Sequence, residues 1–236
     1  MLNTYDKLRA QQMLGQQFVW GEWCKLGAIP KPPPEVHAAA GGGPLRPSRV
    51  SPFTVLLYII GLPAWILIGL YGLAESALAL LVAVFRPKKS VNDVREFVSE
   101  GSQKDAALNE HGLTQVFDGD WQGMAGQFLL RYYAPSSHPT RLVILKPGAI
   151  VFMAPPKRVT LGKRKKMQVL AELPVDQAVV ENPLNGTWQT QEFRIRFADQ
   201  SWFTLTATST PSDIDACISR VRRRGNPDNY PVVTPF

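Results

Sequence analysis

The side chains able to do chemistry are few in this chain, and they are scattered. His37, His111 and His138 stand far apart, none in an HExxH or HxE arrangement, and Cys24 and Cys217 cannot complete a zinc set with them. No GxxxxGK[ST] loop is present, no GxGxxG follows a strand-like run, and the triple glycine ahead of Pro44 has no strand before it. Ser102, Ser136 and Ser137 lie outside any GxSxG elbow. These gaps lead to the expectation of a non-catalytic protein with no metal and no cofactor.

The one dense cluster is basic. Lys157, Arg158, Lys163, Arg164, Lys165 and Lys166 fall together, and across the chain 26 Lys and Arg face 19 Asp and Glu, a net charge of +7. Such a run favours anionic partners, with about 1 kcal/mol per basic group near an anionic lipid surface. A solvated loop that keeps the domain soluble explains the same residues equally well. Nucleic acid ranks lower: Arg194, Arg196 and Arg222 to Arg224 offer charge and Tyr132, Tyr133 and Trp202 offer stacking, but the rest of the sequence suggests a lipid setting.

That setting comes from the elements around the cluster. The mean hydropathy of -0.08 conceals an apolar run from Phe53 to Phe85, broken by Pro63, anchored by Trp65 and carrying one formal charge, Glu75. As a helix it would reach roughly 50 Å, more than the hydrocarbon thickness of about 30 Å. The expectation is one tilted or kinked crossing, with a shallow re-entrant hairpin as the competitor. Arg86, Lys88, Lys89 and Arg95 outweigh Arg46 and Arg49, which places the C-terminal portion in the cytoplasm, beneath a membrane taken to be the plasma membrane.

Around this run the chain of 236 residues divides into an amphipathic and aromatic arm over 1–29, a Pro/Gly-rich linker over 30–52, the membrane segment over 53–85, a helical connector over 86–117, a β domain over 118–225 and a tail over 226–236. In the arm, Ala10, Met13, Leu14 and Phe18 have helical spacing and precede Val19, Trp20 and Trp23. That face suits a membrane interface or packing against a partner or the C-terminal domain. Two short helices, near 91–99 and 103–110, fill the connector.

From Trp121 onward the period becomes two. Strands are expected at 127–134, at 141–146 and 149–154 around Pro147-Gly148, at 167–173 and 177–180, and at 192–197 and 202–207. In 167–173, Met167, Val169, Ala171 and Leu173 are expected to share one face. A helix follows, with Thr210 as N-cap, Pro211 in its first turn and an apolar stripe of Ile214, Cys217, Ile218 and Val221 that would plug the open side of the sheet.

The fold class is therefore α+β, a small antiparallel barrel or sandwich capped by a C-terminal helix. Short meandering strands followed by one capping helix, with RLVILKPGAIVFMA and FRIRFADQSWFTLTA as central hairpins, resemble the pleckstrin-homology-like superfold, including GRAM and bacterial PH-like modules, over roughly 118–224. The resemblance implies an adaptor that binds lipid headgroups or peptides. The chain departs from phosphoinositide-gripping members, which place basic residues in the loop after the first strand: here that loop, over 135–140, offers His138 alone for the purpose, and the basic run comes later.

The expectation is thus a membrane-anchored adaptor whose domain docks a protein partner, with the basic loop against anionic lipid and the oligomeric state left open. A deep apolar pocket in the domain would favour a lipid-sensing or lipid-transfer module instead.

Overall fold

The computed structural model describes residues 4–18, 20–49, 52, 91–159, 163–184 and 187–208. The chain divides into two compact units, one made of 1–48 with 106–236 and the other of 49–105. The helices are α1 (Thr4–Leu14), α2 (Pro34–Ala39), α3 (Val91–Glu110) and α4 (Met124–Arg131). The strands are β1 (Trp20–Leu26), β2 (Thr140–Lys146), β3 (Ala149–Ala154), β4 (Gln168–Pro174), β5 (Ala178–Glu181), β6 (Glu192–Phe197) and β7 (Trp202–Ala207).

All seven strands form one antiparallel sheet in the order β4-β3-β2-β1-β7-β6-β5. β1 is its centre. It pairs with β2 from Trp20↔Leu145 to Lys25↔Thr140 and with β7 from Cys24↔Ala207 to Leu26↔Leu205. The arm that sequence left undecided is thus an integral strand.

The sheet is bent but not closed. Its edges β4 and β5 are consecutive in sequence, and the short link between Pro174 and Ala178 reaches at most about 15 Å. Laid flat, seven strands would separate those edges by roughly 29 Å. The sheet must therefore curl, and backbone bonds from Val175 N to Gly148 O (2.9 Å) and from Ala198 N to Gln177 O (2.9 Å) pin the link at that corner. No ladder joins β4 to β5.

Curling leaves two apolar faces to cover. The concave face carries Cys24, Val143, Leu145, Ile150, Phe152, Phe193, Ile195, Phe203 and Leu205, all buried. The convex face buries Leu142, Ile144, Val151, Met153 and Met167 under Ala10 of α1, with Met13, Leu14, Phe18 and Trp23 packed alongside. β2 and β3 are covered on both sides, which is why LVIL and AIVFM read as unbroken apolar runs.

Two parts of the predicted fold need correction. The barrel or sandwich plugged by a C-terminal helix is an open seven-stranded sheet whose concave face is filled by α4; the predicted C-terminal helix and Cys217 lie outside the described residues. Residues 127–134, predicted as a strand, belong largely to that helix and the turns after it. Apolar side chains on both faces of the run satisfied a period of two, yet Ala125, Phe128, Leu129 and Tyr132 follow i, i+3, i+4, i+7 equally well.

The transmembrane-helix expectation does not stand on this structure either. Among the described residues no helix is long and apolar enough to cross a membrane, and the longest, α3, is charged along its length by Asp93, Arg95, Glu96, Lys104 and Asp105. The run holding Phe53, Pro63, Trp65, Glu75 and Phe85 lies outside the described residues. The placement at the plasma membrane and the cytoplasmic assignment of the domain fall with that expectation. The connector forms one continuous helix, α3, in place of two short ones.

Candidate ligand cavity at the open seam

α4 is held in the curl from both ends, at its start by residues distant in sequence and at its end by a residue of the next strand. At its N-terminus the Met124 amide donates to Asp199 Oδ2 (2.7 Å) and the Ala125 amide to Ser201 Oγ (2.9 Å), both acceptors coming from the β6–β7 connection. These acceptors satisfy amides that a helix start leaves without intrahelical partners. Slight burial pushes the Asp199 carboxyl up, but bonds from the Met124 amide and from the Ser201 hydroxyl and amide outweigh it and hold the group below its ordinary value.

The C-terminal end is organised by Arg141 of β2, only 1% exposed. Its Nη2 donates to Tyr132 O (2.9 Å) and Ser136 O (2.5 Å), and its Nη1 to His138 O. The guanidinium lies 4.6 Å from the Tyr132 ring centroid and 5.2 Å from that of Tyr133. Burial lowers the Arg141 pKa and raises that of Tyr132 well above its ordinary value; the two groups partly offset each other. Carbonyl oxygens and ring faces, rather than a carboxylate, compensate this cation.

Between these ends, Phe128 points into the aromatic core. Its ring stacks on Phe203 (5.2 Å, 11°) and meets Phe152 (5.3 Å) and Phe197 (5.9 Å). Phe128 is half-buried, so these ring contacts anchor the helix while part of the side chain faces the cavity.

Between α4 and the edge strand β4 lies a cavity of about 660 Å³, on the side of the sheet where β4 and β5 do not pair. Phe128, Tyr132, Phe152 and Phe197 supply aromatic wall, and Leu170, Ala171 and Leu173 of β4 the aliphatic wall. Met124 and Gln127 stand toward one end and Arg131, Ala134 and Pro135 toward the other, with Arg141 in the wall. Volume and lining fall in the range of small-molecule sites, about 300–1,000 Å³ and mainly apolar with few polar groups.

A β-bulge shapes the aliphatic wall. Phe152 pairs with Ala171 but Met153 pairs with Val169, so Leu170 is an extra residue in β4. The extra residue shifts the phase of the strand. Ahead of it Met167 packs on the convex side and Val169 is 44% exposed; beyond it Ala171 and Leu173 face the concave core. The single face predicted for Met167, Val169, Ala171 and Leu173 is thereby split, and Leu170 joins the cavity.

The sequence-predicted basic residues lie on the β3–β4 connection. Lys157, Arg158, Lys165 and Lys166 are exposed there, Arg158 Nη1 donating to Ser48 O (3.3 Å), and Lys163 and Arg164 fall on a 3-10 turn, Lys163–Lys166. This connection docks on the segment that follows α4. Ser136 Oγ donates to Pro155 O (2.5 Å), Ser137 N to Pro156 O (3.1 Å) and Gln168 Nε2 to Pro135 O (3.1 Å). Arg194 and Arg196, weighed for nucleic acid, are engaged by Glu181 at 3.9 and 2.8 Å, and Arg194 covers the Trp202 ring at 3.9 Å.

Among the described residues no group of three His, Cys, Asp or Glu side chains could hold a metal ion. Sequence reasoning missed Phe128, Arg131, Arg141 and Leu170 as site residues. The helical period over 125–132 was the available signal for the first two; the bulge at Leu170 and the burial of Arg141 left none. No family model matches the chain, and no curated protein matches it.

Proposed function

We propose that this chain is a non-catalytic binding protein whose cavity between α4 and β4 takes the hydrocarbon chain of a lipid-like ligand. One observation carries the reading: a mainly apolar volume of about 660 Å³, walled by α4 and the edge strand β4. Burying an acyl chain against Phe128, Phe152 and Leu173 would gain about 0.8 kcal/mol per CH₂. The lining offers few hydrogen-bonding groups, which suits a ligand that is mostly hydrocarbon.

The test is titration of the full chain with cis-parinarate, a fluorescent fatty acid. Saturable binding is expected, and Ala171→Trp, which fills the aliphatic wall, should abolish it while the far-UV spectrum and cooperative melting persist. Absence of binding, or unchanged binding by a folded Ala171→Trp variant, would reject the reading.

A docked protein segment is the second reading. It is favoured by β4, which pairs only with β3 among the described strands and so offers a free edge beside the cavity. A peptide added there would protect β4 amides from hydrogen exchange, which an acyl chain lying against the side chains would not.

A further inference from the structure

The cavity is electrically uneven along its length, and the unevenness selects a ligand head. Arg131, on the last turn of α4, is exposed at the cavity and forms no salt bridge with a described residue. Arg141 adds a second positive charge in the wall, and its bonds go to carbonyl oxygens. One of those bonds also occupies Tyr132 O, one of the carbonyls through which the helix C-terminus presents negative charge. The exposed Lys157, Arg158, Lys165 and Lys166 lie on the connection docked beside Ser136 and Pro135, at the same end. At the opposite end Asp199 caps α4, and on β4 the nearby Glu172 is engaged by Lys146 at 2.7 Å.

We infer that the ligand is an anionic amphiphile, its carboxylate or phosphate held at the Pro135 end by Arg131 and steered there by the β3–β4 basic connection, with its chain running along β4 toward Phe197. The inference rests on the acyl-chain reading and adds the head chemistry to it. A guanidinium at the mouth of a low-dielectric cavity favours an oxyanion over a hydroxyl because it makes charge-assisted hydrogen bonds and because the apolar walls focus the field of the surrounding cations.

Three ligands with the same chain and different heads separate the possibilities: dodecanoate, dodecyl phosphate and dodecanol, each measured by displacement of cis-parinarate from the full chain. Both anions should bind about tenfold more tightly than the alcohol at low salt, the scale of a hydrogen bond to a charged group. Arg131→Gln should remove that preference and leave dodecanol binding unchanged, and added salt should shrink it. The tighter of the two anions identifies the head as carboxylate or phosphate. Equal binding of all three heads by the wild-type chain overturns the inference while leaving the acyl-chain reading intact. An anion preference that survives in Arg131→Gln overturns the role of Arg131. Failure of all three to bind overturns both readings.

Discussion

Single residues outside α4 hold that short helix in place. Arg141 bonds the carbonyls of Tyr132, Ser136 and His138 and so fixes the turns that follow the helix. Asp199 does the corresponding work at the start, and its dependence on pH follows from its hydrogen bonds. The folded chain holds this carboxyl below its ordinary value, so the cap stabilises fully above the unfolded pKa of about 3.9 and is lost as pH falls through the folded value. Asp199→Ala should cost about 1 kcal/mol in urea unfolding near pH 6, the usual worth of an N-cap. The gap between wild type and variant should narrow as pH falls below about 4. A gap of constant size down to pH 3 would mean that the carboxylate does not stabilise α4 through its charge. Neither end was legible in the sequence, because each pairs positions separated by the length of a domain or by a loop with no local signature.

At the scale of elements, the strands on either side of tight turns were the most legible. Pro147-Gly148 and the Ala198 to Ser201 connection mark the two hairpins, and both pairs fall where alternation and turn chemistry put them. Gly148 sits at φ 78, a left-handed conformation that glycine adopts without strain. α4 was not legible as a helix, since its N-cap comes from another hairpin and its apolar residues fit both periods. Its packing gives a test whose sign departs from propensity. Alanine normally stabilises a helix interior by about 1 kcal/mol over glycine. A Cβ at Gly126, however, would lie 2.4 Å from Asp120 O and 2.6 Å from Trp121 Cα, backbone atoms that cannot step aside cheaply. Gly126→Ala should therefore destabilise by about 1–3 kcal/mol. Gly101→Ala, at an exposed position of α3 where a Cβ meets nothing within 4 Å, should stabilise by up to about 1 kcal/mol. Denaturant midpoints for the pair check both signs, and a stabilising Gly126→Ala would show that α4 is not packed against the 120–121 backbone.

For the molecule as a whole, the consequential misreading was of boundaries. Composition sets the arm apart from the β domain, because a Pro/Gly-rich linker and the apolar run separate them, and hydropathy along a chain carries no information on which distant segments pair. The fold joins them nevertheless: WGEWCKL is the central strand, with Trp20, Cys24 and Leu26 buried on the concave face and Trp23 packed among the convex-face residues. Its alternation is present in the sequence, but Glu22, buried at 3% exposure, interrupts the apolar face that would have announced a strand. Without β1 the sheet would split between β2 and β7 into a three-stranded and another three-stranded piece, each with a new unpaired edge. A fragment over 106–236 should accordingly fail to unfold cooperatively and should show poor amide dispersion by NMR. A second chain over 1–48, added in trans, should restore both by filling the vacant ladder from Thr140 to Leu145 and from Leu205 to Ala207. Cooperative unfolding of 106–236 alone, with the denaturant sensitivity expected for its size, would show that β1 is dispensable and that the domain begins where composition first suggested.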